Sequence, residues 1–177
     1  MRAGFPVYTA FETQTALETI TGERTRAIEP KKRFRLSNFT ITPFNVPHDP
    51  DIECYGYLIE HEEIGKLLFL TDLEYCKYNF KNLMVNHILV EANHESDLLD
   101  RNSAKFKHQI SGHMNINTTC EFLRCNNSNM LLNVILLHLS SDCSDEEMFN
   151  EMASEIVSCP VYIAKRGLEI DISLLPF

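Results

Sequence analysis

The sequence predicts an α+β fold in which helices cover the outer faces of layered sheets. Three observations carry that expectation. Strand-like runs come in pairs through the first half, apolar strands alternate with helix-periodic segments through the second, and no repeat, low-complexity tract or linker interrupts the 177 residues. One domain spanning 1–177 is therefore expected. A hydrophobic content of 44% and a charged content of 23% are ordinary for a globular domain of this length, which is long enough to bury a sizeable core.

Residues 1 to 8 read as a loop running into a short strand, "FPVYT", and Thr9 to Ile20 has helical spacing with Phe11, Ala16, Leu17 and Ile20 on one side. From Phe34 to Val46, "FRLSNFTITPFNV" alternates as strands do, and its slip of phase near Asn38 predicts a turn or bulge there. "CYGYLIEH" and "KLLFLTD" read as two strands joined by the short connection "EEIG", with a glycine to turn on. "VNHILVEAN" is a further apolar strand. Thr118 and Glu121 have capping-box spacing ahead of a helix that starts between Asn115 and Thr118. "NVILLHLS" is a fully apolar strand. Ser144 and Glu147 repeat the capping-box spacing before a helix with Met148, Met152 and Ile156 on one face, and "PVYIAKRGLEIDI" closes as a hairpin around Arg166-Gly167.

The formal net charge of −9 argues against holding nucleic acid by broad electrostatics and suits metal capture or a basic partner. One basic run, "EPKKRFR" (29 to 35), either touches phosphate or is a solvated turn before a strand. No apolar run approaches the length of a membrane span and the N-terminus lacks a signal-peptide pattern, so a cytoplasmic protein is expected, with no membrane partner. Cys54, Cys76, Cys120, Cys125, Cys143 and Cys159 contain no C-x-x-C pair. They read as reduced thiols, mostly small core residues, rather than a disulfide framework or a cysteine zinc site.

Three strand-like runs end on residues able to hold a metal: "FNVPHDP" on His48, "LFLTD" on Asp72 and "ILLHLS" on His138. A strand end places a side chain at the rim of a rigid sheet, where several strands can converge. Imidazole nitrogen and carboxylate oxygen suit zinc, manganese or iron(II). Asn93, His94 and His113 form a candidate second layer that ligates, orients ligands or contacts substrate. Each residue also has a simpler reading: His48 as a turn residue, Asp72 as a helix or turn cap, and His138 as a buried ring satisfied by a hydrogen bond. His61, His87 and His108 lack the strand-end position and read as surface or packing residues.

Taken in order, these segments resemble the metallo-β-lactamase fold, in particular the YycJ-type branch of single-domain metallo-hydrolases. "GFPVYTAFETQTAL" resembles that family's strand and helix, "FNVPHDP…CYGYLIEH" its histidine-bearing strand end and hairpin, and "GKLLFLTD" the strand ending in a bridging aspartate. "LVEANHE", "SGHMN" and "ILLHLS" resemble its "-E-NH-", "-GH-" and last-histidine segments. The resemblance implies an αββα sandwich of two packed sheets with flanking helices, a dinuclear metal site at one edge, and hydrolysis of phosphodiester or related substrates. It further implies that His48 serves the first metal, Asp72 bridges, and His138 serves the second, with His94 and His113 as site neighbours.

The family's H-x-H-x-D-H motif appears nowhere in the chain. In the family it precedes the segment resembling "RAGFPVY", so a truncated sandwich with one edge missing is expected. Each of the two ions would keep one terminal ligand plus Asp72, and one zinc or manganese ion in a partial site, or none, is the expectation. The open edge would be covered by a second copy or by another protein. Two functions follow, with binding placed slightly ahead of hydrolysis because four of the family's ligands are missing. In one, hydrolysis is lost and the scaffold works by binding a protein, such as a basic nucleic-acid-handling protein, as an inhibitor carried by a phage or mobile element would. In the other, the chain is a metal-dependent phosphodiesterase or nuclease with Asp72 and His113 as catalytic residues and His48, Asp72 and His138 as ligands, in a residual or partner-completed site.

Overall fold

The paired runs of the first half fold as antiparallel ribbons, and the alternating segments of the second half as parallel strands crossed over by helices. This is seen in a computed structural model that describes residues 4–21, 24–49, 51–99 and 111–175. β1 (Val7–Thr9) and β2 (Thr25–Ala27) form a small parallel pair joined through α1 (Phe11–Thr21). β3 (Phe34–Leu36), β4 (Phe39–Asp49), β5 (Ile52–His61), β6 (Gly65–Leu70), β7 (His87–Glu91), β8 (Asn133–Leu137) and β9 (Val161–Ile163) form one seven-stranded sheet in chain order. β3 to β6 pair antiparallel and β6 to β9 parallel. α2 (Ile116–Asn126) precedes β8 and α3 (Glu146–Ser154) precedes β9. The mixed α+β class is as expected, and the smaller sheet contributes two strands among the described residues.

Local chemistry explains the turns. The phase slip near Asn38 is a tight turn with Ser37 in the left-handed region (φ 53°), which reverses β3 into β4. Gly65 ends the β5–β6 connection at φ 69°, where a Cβ would run into Asn86 Oδ1, itself the acceptor for Lys66 N at 3.0 Å. Gly56 in mid-strand lets the Phe44 ring lie across the backbone, since a Cβ there would meet Phe44 Cε2 at 2.6 Å. The core lies over the parallel strands: Leu68, Leu70, Ile88, Val90, Val134 and Leu136 are fully buried, with Leu123 and Phe149 from α2 and α3 packed on them. Each such side chain contributes roughly 1.5–3 kcal/mol over the exposed state.

Several expectations are corrected. Asn115, not Thr118, caps α2, its side chain accepting from Thr118 N at 3.0 Å. Asp145, not Ser144, caps α3, accepting from Met148 N at 3.0 Å. In both cases an Asx side chain adjoining the helix reaches the third amide and outcompetes the hydroxyl. The buried face of α3 centres on Phe149 and Ala153, and Met148, Met152 and Ile156 flank it half-buried. In α1, Phe11 is 68% exposed and Ala16 is exposed as well, because the helix packs on β2 and β5 from its other side; the side chain of Ile20 lies outside the described residues. After β9 the chain turns at Lys165–Leu168 but forms no returning strand among the described residues, so the closing hairpin is absent. All six cysteines are free thiols. No helix among the described residues is long and apolar enough to cross a membrane.

Candidate metal centre

β6, β7 and β8 run parallel in adjacent positions, with Leu70 registered on Val90 and Glu91 on Leu137. Their C-terminal ends therefore lie side by side about 4.8 Å apart, and each carries a polar group. Glu91 closes β7, Asp72 lies two residues past Leu70, and His138 directly follows Leu137. Asp72 (φ 53°) and His138 (φ 58°) both adopt the left-handed region, which turns their side chains off the strand alternation towards the sheet rim. Backbone strain of order 1 kcal/mol at such positions is characteristic of functional edges.

His113 arrives from the segment before α2, which is tied to the β7 end by Asn93 N to Met114 O at 2.8 Å and Ile116 N to His94 O at 2.9 Å. His113, Asp72 and His138 each present one ligand-type atom within 4.8 Å of the others'. Beneath them Glu91 is fully buried. Its Oε2 accepts from Leu73 N at 2.9 Å and its Oε1 from His113 Nδ1 at 2.6 Å. His138 Nδ1 stands 3.4 Å from Asp72 Oδ1 and 3.5 Å from Glu91 Oε1. The Glu91 hydrogen bond raises the His113 pKa above the ordinary imidazole range against the opposing effect of burial.

His48 sits where the β4–β5 ladder breaks between Val46 and Asp49, an irregularity that contains Pro47. Its Nδ1 donates to Gly112 O at 2.6 Å, and its ring meets that of His113 edge-on with centroids 5.1 Å apart. His113 and His138 stack the same way at 5.0 Å, so His113 is the middle of three imidazoles. Glu74 N donates to Pro47 O at 2.7 Å, joining the Asp72 loop to the His48 strand end. Asn93 Nδ2 donates to His138 O at 2.8 Å and so holds the last histidine's backbone. His94 is buried beside this segment, and burial together with the nearby His113 lowers its pKa.

The structure thus brings His48, Asp72, His113 and His138 to one edge. His113 joins Asp72 and His138 in the tight trio, while His48 reaches it through the His113 ring. His138 is not the buried ring that its apolar neighbours predict: its side chain is 41% exposed, because the left-handed turn after β8 swings it to the rim. Asp72 caps no helix, since irregular chain with bends follows it as far as the turn at Lys81–Leu83. His61 stacks on Phe39 and His87 is fully buried at the start of β7, both away from this edge; His108 lies outside the described residues. Glu91 was missed as a site residue. Its signal is a carboxylate ending an otherwise apolar buried strand, "HILVE", which demands a buried partner.

The donor set fits a divalent ion. Two imidazoles and a carboxylate match the ligand number and type of zinc or manganese sites that keep an open position. A buried carboxylate hydrogen-bonded to a ligating histidine is the usual outer support of such a set, and Glu91 stands in that relation to His113.

No protein-family model matches the chain, and no curated protein matches it. Its structure is similar to the metallo-β-lactamase fold protein YhfI from Bacillus subtilis (TM-score 0.70, 20% identity, 92% of this chain and 62% of that one). It is likewise similar to unliganded yeast PDE1 (TM-score 0.65, 18% identity, 92% and 58%) and to Igni18, a metallo hydrolase from the archaeon Ignicoccus hospitalis (TM-score 0.64, 11% identity, 96% and 71%). The chain spans about three fifths of the length of YhfI and PDE1. At these identities the likeness establishes the architecture: the chain has the metallo-β-lactamase fold.

Proposed function

We propose that this protein is a cytoplasmic metal-dependent hydrolase of the metallo-β-lactamase type, with one zinc or manganese ion held by Asp72, His113 and His138. The observation that carries this reading is the convergence of those three donors over the buried Glu91 carboxylate. This reverses the order of the two functions expected from the sequence, where loss of the H-x-H-x-D-H ligands favoured binding over chemistry. A divalent ion in such a set supplies Lewis-acid polarisation and acidifies water. Glu91 accepts the Nδ1–H of His113 in a hydrogen bond and fixes the ring, Asn93 anchors the backbone of His138, and the His48 ring edge limits the movement of His113. Because the His113 pKa is raised, a proton competes for its nitrogen and metal affinity weakens towards acid pH.

The reaction class follows the family resemblance: hydrolysis of a phosphodiester or related ester. The test is metal content after loading with Zn²⁺ or Mn²⁺, and turnover of bis(p-nitrophenyl) phosphate by wild type and Asp72→Ala. About one ion per chain and activity that disappears in Asp72→Ala are expected. Activity that survives the substitution would remove this site from the reaction.

A second reading, binding to a protein, is favoured by a separate observation. Phe5 is 76% exposed, Phe11 68% and Val7 40%, all beside β1, whose pairing among the described residues is with β2 alone. Such a patch suits a covering chain, either a second copy or a partner. The acidic balance of the sequence suits a basic nucleic-acid-handling protein as target, and an inhibitor carried by a phage or mobile element acts in this way. Light scattering on wild type and on a Phe5→Asp, Phe11→Asp variant separates the readings: association lost in the variant supports covering, and a monomeric wild type refutes the second-copy form.

A further inference from the structure

The N-terminal ends of β6, β7 and β8 form the rim of the sheet opposite the metal centre, a strand length of about 17–20 Å away. Leu83, Met84, Met130, Leu132 and Leu174 gather at this rim, each 38–58% exposed. Apolar residues exposed singly need no explanation, but these are tied together. Asn86 is the hub. Its side chain accepts from Lys66 N at 3.0 Å and donates to Met130 O at 3.2 Å, and its carbonyl accepts from Leu132 N at 2.8 Å. Lys66 Nζ donates to Leu83 O at 2.9 Å, which attaches the turn before β7. Leu174 N donates to Glu63 O at 2.7 Å, and Leu174 Cδ1 is 3.2 Å from the place a Cβ on Gly65 would take.

Met84 ends the turn at Lys81–Leu83 in the left-handed region (φ 53°, ψ 58°), a place usually filled by glycine or asparagine. Any other side chain there costs of order 1 kcal/mol. Here the strained position presents a methionine to solvent. Strand order sorts the charges around the strip. Glu63, its side chain 76% exposed, holds Leu174 at the β6 end, and the exposed Asp171, which accepts from Ser173 N at 2.9 Å, lies three residues before Leu174. Lys81 is exposed at the other end, where it shares a cleft with Leu131 and Ser158, the residues that lead into β8 and β9. The Lys66 ammonium, within the strip, is already held by Leu83 O. An apolar strip with carboxylates at one end and a lysine at the other is complementary to itself under a two-fold rotation.

We propose that this rim is the interface of a two-fold dimer of the chain, in which the apolar strips of two copies pack together and Glu63 of one copy faces the partner's Lys81. Met84 and Met130, unbranched and polarisable, adapt to one another across the axis. The strip is the apolar centre of an interface to which each copy contributes roughly 800 Å². The metal centres lie at the far rims of such a dimer, so the proposal does not rest on the metal-centre reading and metal-free protein serves to test it. None of the residues used belongs to the patch of Phe5, Val7 and Phe11 beside β1.

Sedimentation velocity of the EDTA-treated chain over a micromolar concentration series should show a monomer–dimer equilibrium. The Met84→Asp, Met130→Asp variant should dimerise at least about tenfold more weakly, because each new carboxylate would be buried without a partner. Glu63→Lys and Lys81→Glu should each weaken the dimer by setting like charges face to face, and the two combined should restore it by reforming the pairs with their signs exchanged. The four positions are exposed, and cooperative unfolding of each variant confirms that it folds. Phe5→Asp with Phe11→Asp should leave the dimer intact. A wild type that is monomeric at the highest concentration overturns the proposal, as does a dimer unchanged in the methionine variant. Charge variants that do not rescue one another overturn the two-fold pairing. Association lost in the Phe5, Phe11 variant and kept in the methionine variant assigns the interface to the other patch and overturns this one.

Discussion

Replacing Glu91 by glutamine tests the centre at its least visible point. The wild-type carboxylate is fully buried and accepts two hydrogen bonds, from Leu73 N at 2.9 Å and His113 Nδ1 at 2.6 Å. Charge-assisted bonds of this kind are worth about 1.5–3 kcal/mol each. Part of that offsets the several kcal/mol needed to bury the carboxylate. Glutamine keeps the volume but has one acceptor oxygen, so one donor keeps a neutral bond and the other faces an NH₂. The net cost in metal-free protein is about 2–3 kcal/mol, below the roughly 3–5 kcal/mol of breaking a buried pair outright. For a chain of this size that lowers Tm by roughly 5–10 °C. The pH dependence is distinctive. The folded-state pKa of His113 is raised, so its contribution is complete below the ordinary imidazole value of about 6.5 and is lost as pH rises through the raised value. Thermal or urea unfolding of the two EDTA-treated proteins from acid to alkaline pH measures this. The gap between them should be widest on the acid side of neutrality and shrink towards alkaline pH. A gap constant with pH, or a glutamine variant as stable as wild type, would show that Glu91 and His113 are not the coupled pair described here.

Other expectations follow from the same geometry. Zinc at about a hundred times its Kd should stabilise wild type by roughly 2.7 kcal/mol; His138→Gln should lose most of that increment in a thermal-shift titration, and an unchanged increment would remove His138 from the ligand set. Asn115→Ala should cost about 1 kcal/mol through loss of the α2 cap, whereas Thr118→Ala, whose backbone amide is the donor, should cost under about 0.5 kcal/mol by urea unfolding. Gly56→Ala should destabilise by roughly 1–3 kcal/mol, because its Cβ would meet Phe44 Cε2 at 2.6 Å and Leu70 Cδ2 at 2.7 Å; a neutral effect would mean the ring moves freely.

The strands were legible because their evidence is local. Alternation in "TITPFNV", the glycine in "EEIG" and the unbroken apolar run "NVILL" each report which side of the chain meets the core, and β4, β5, β6 and β8 lie where those patterns put them. Asp72 and His138 were legible for the same reason, as polar residues stopping apolar strands. The helix caps were misjudged because Ser, Thr, Asn and Asp compete for the same amides, and only the backbone angles show which side chain reaches them. The exposure of Phe11 was missed because spacing along a helix says which residues share a face, but not whether anything covers it.

The partnership of the site residues belongs to another level. Glu91 and His113 are 22 positions apart, and nothing in either neighbourhood announces the other. They meet because β7 is placed between β6 and β8 by parallel pairing, and because the segment before α2 is bonded back onto the end of β7. Periodicity encodes the direction a side chain faces relative to its own backbone. Which distant side chains share a point in space depends on strand order and register, and those emerge only when the elements pack together.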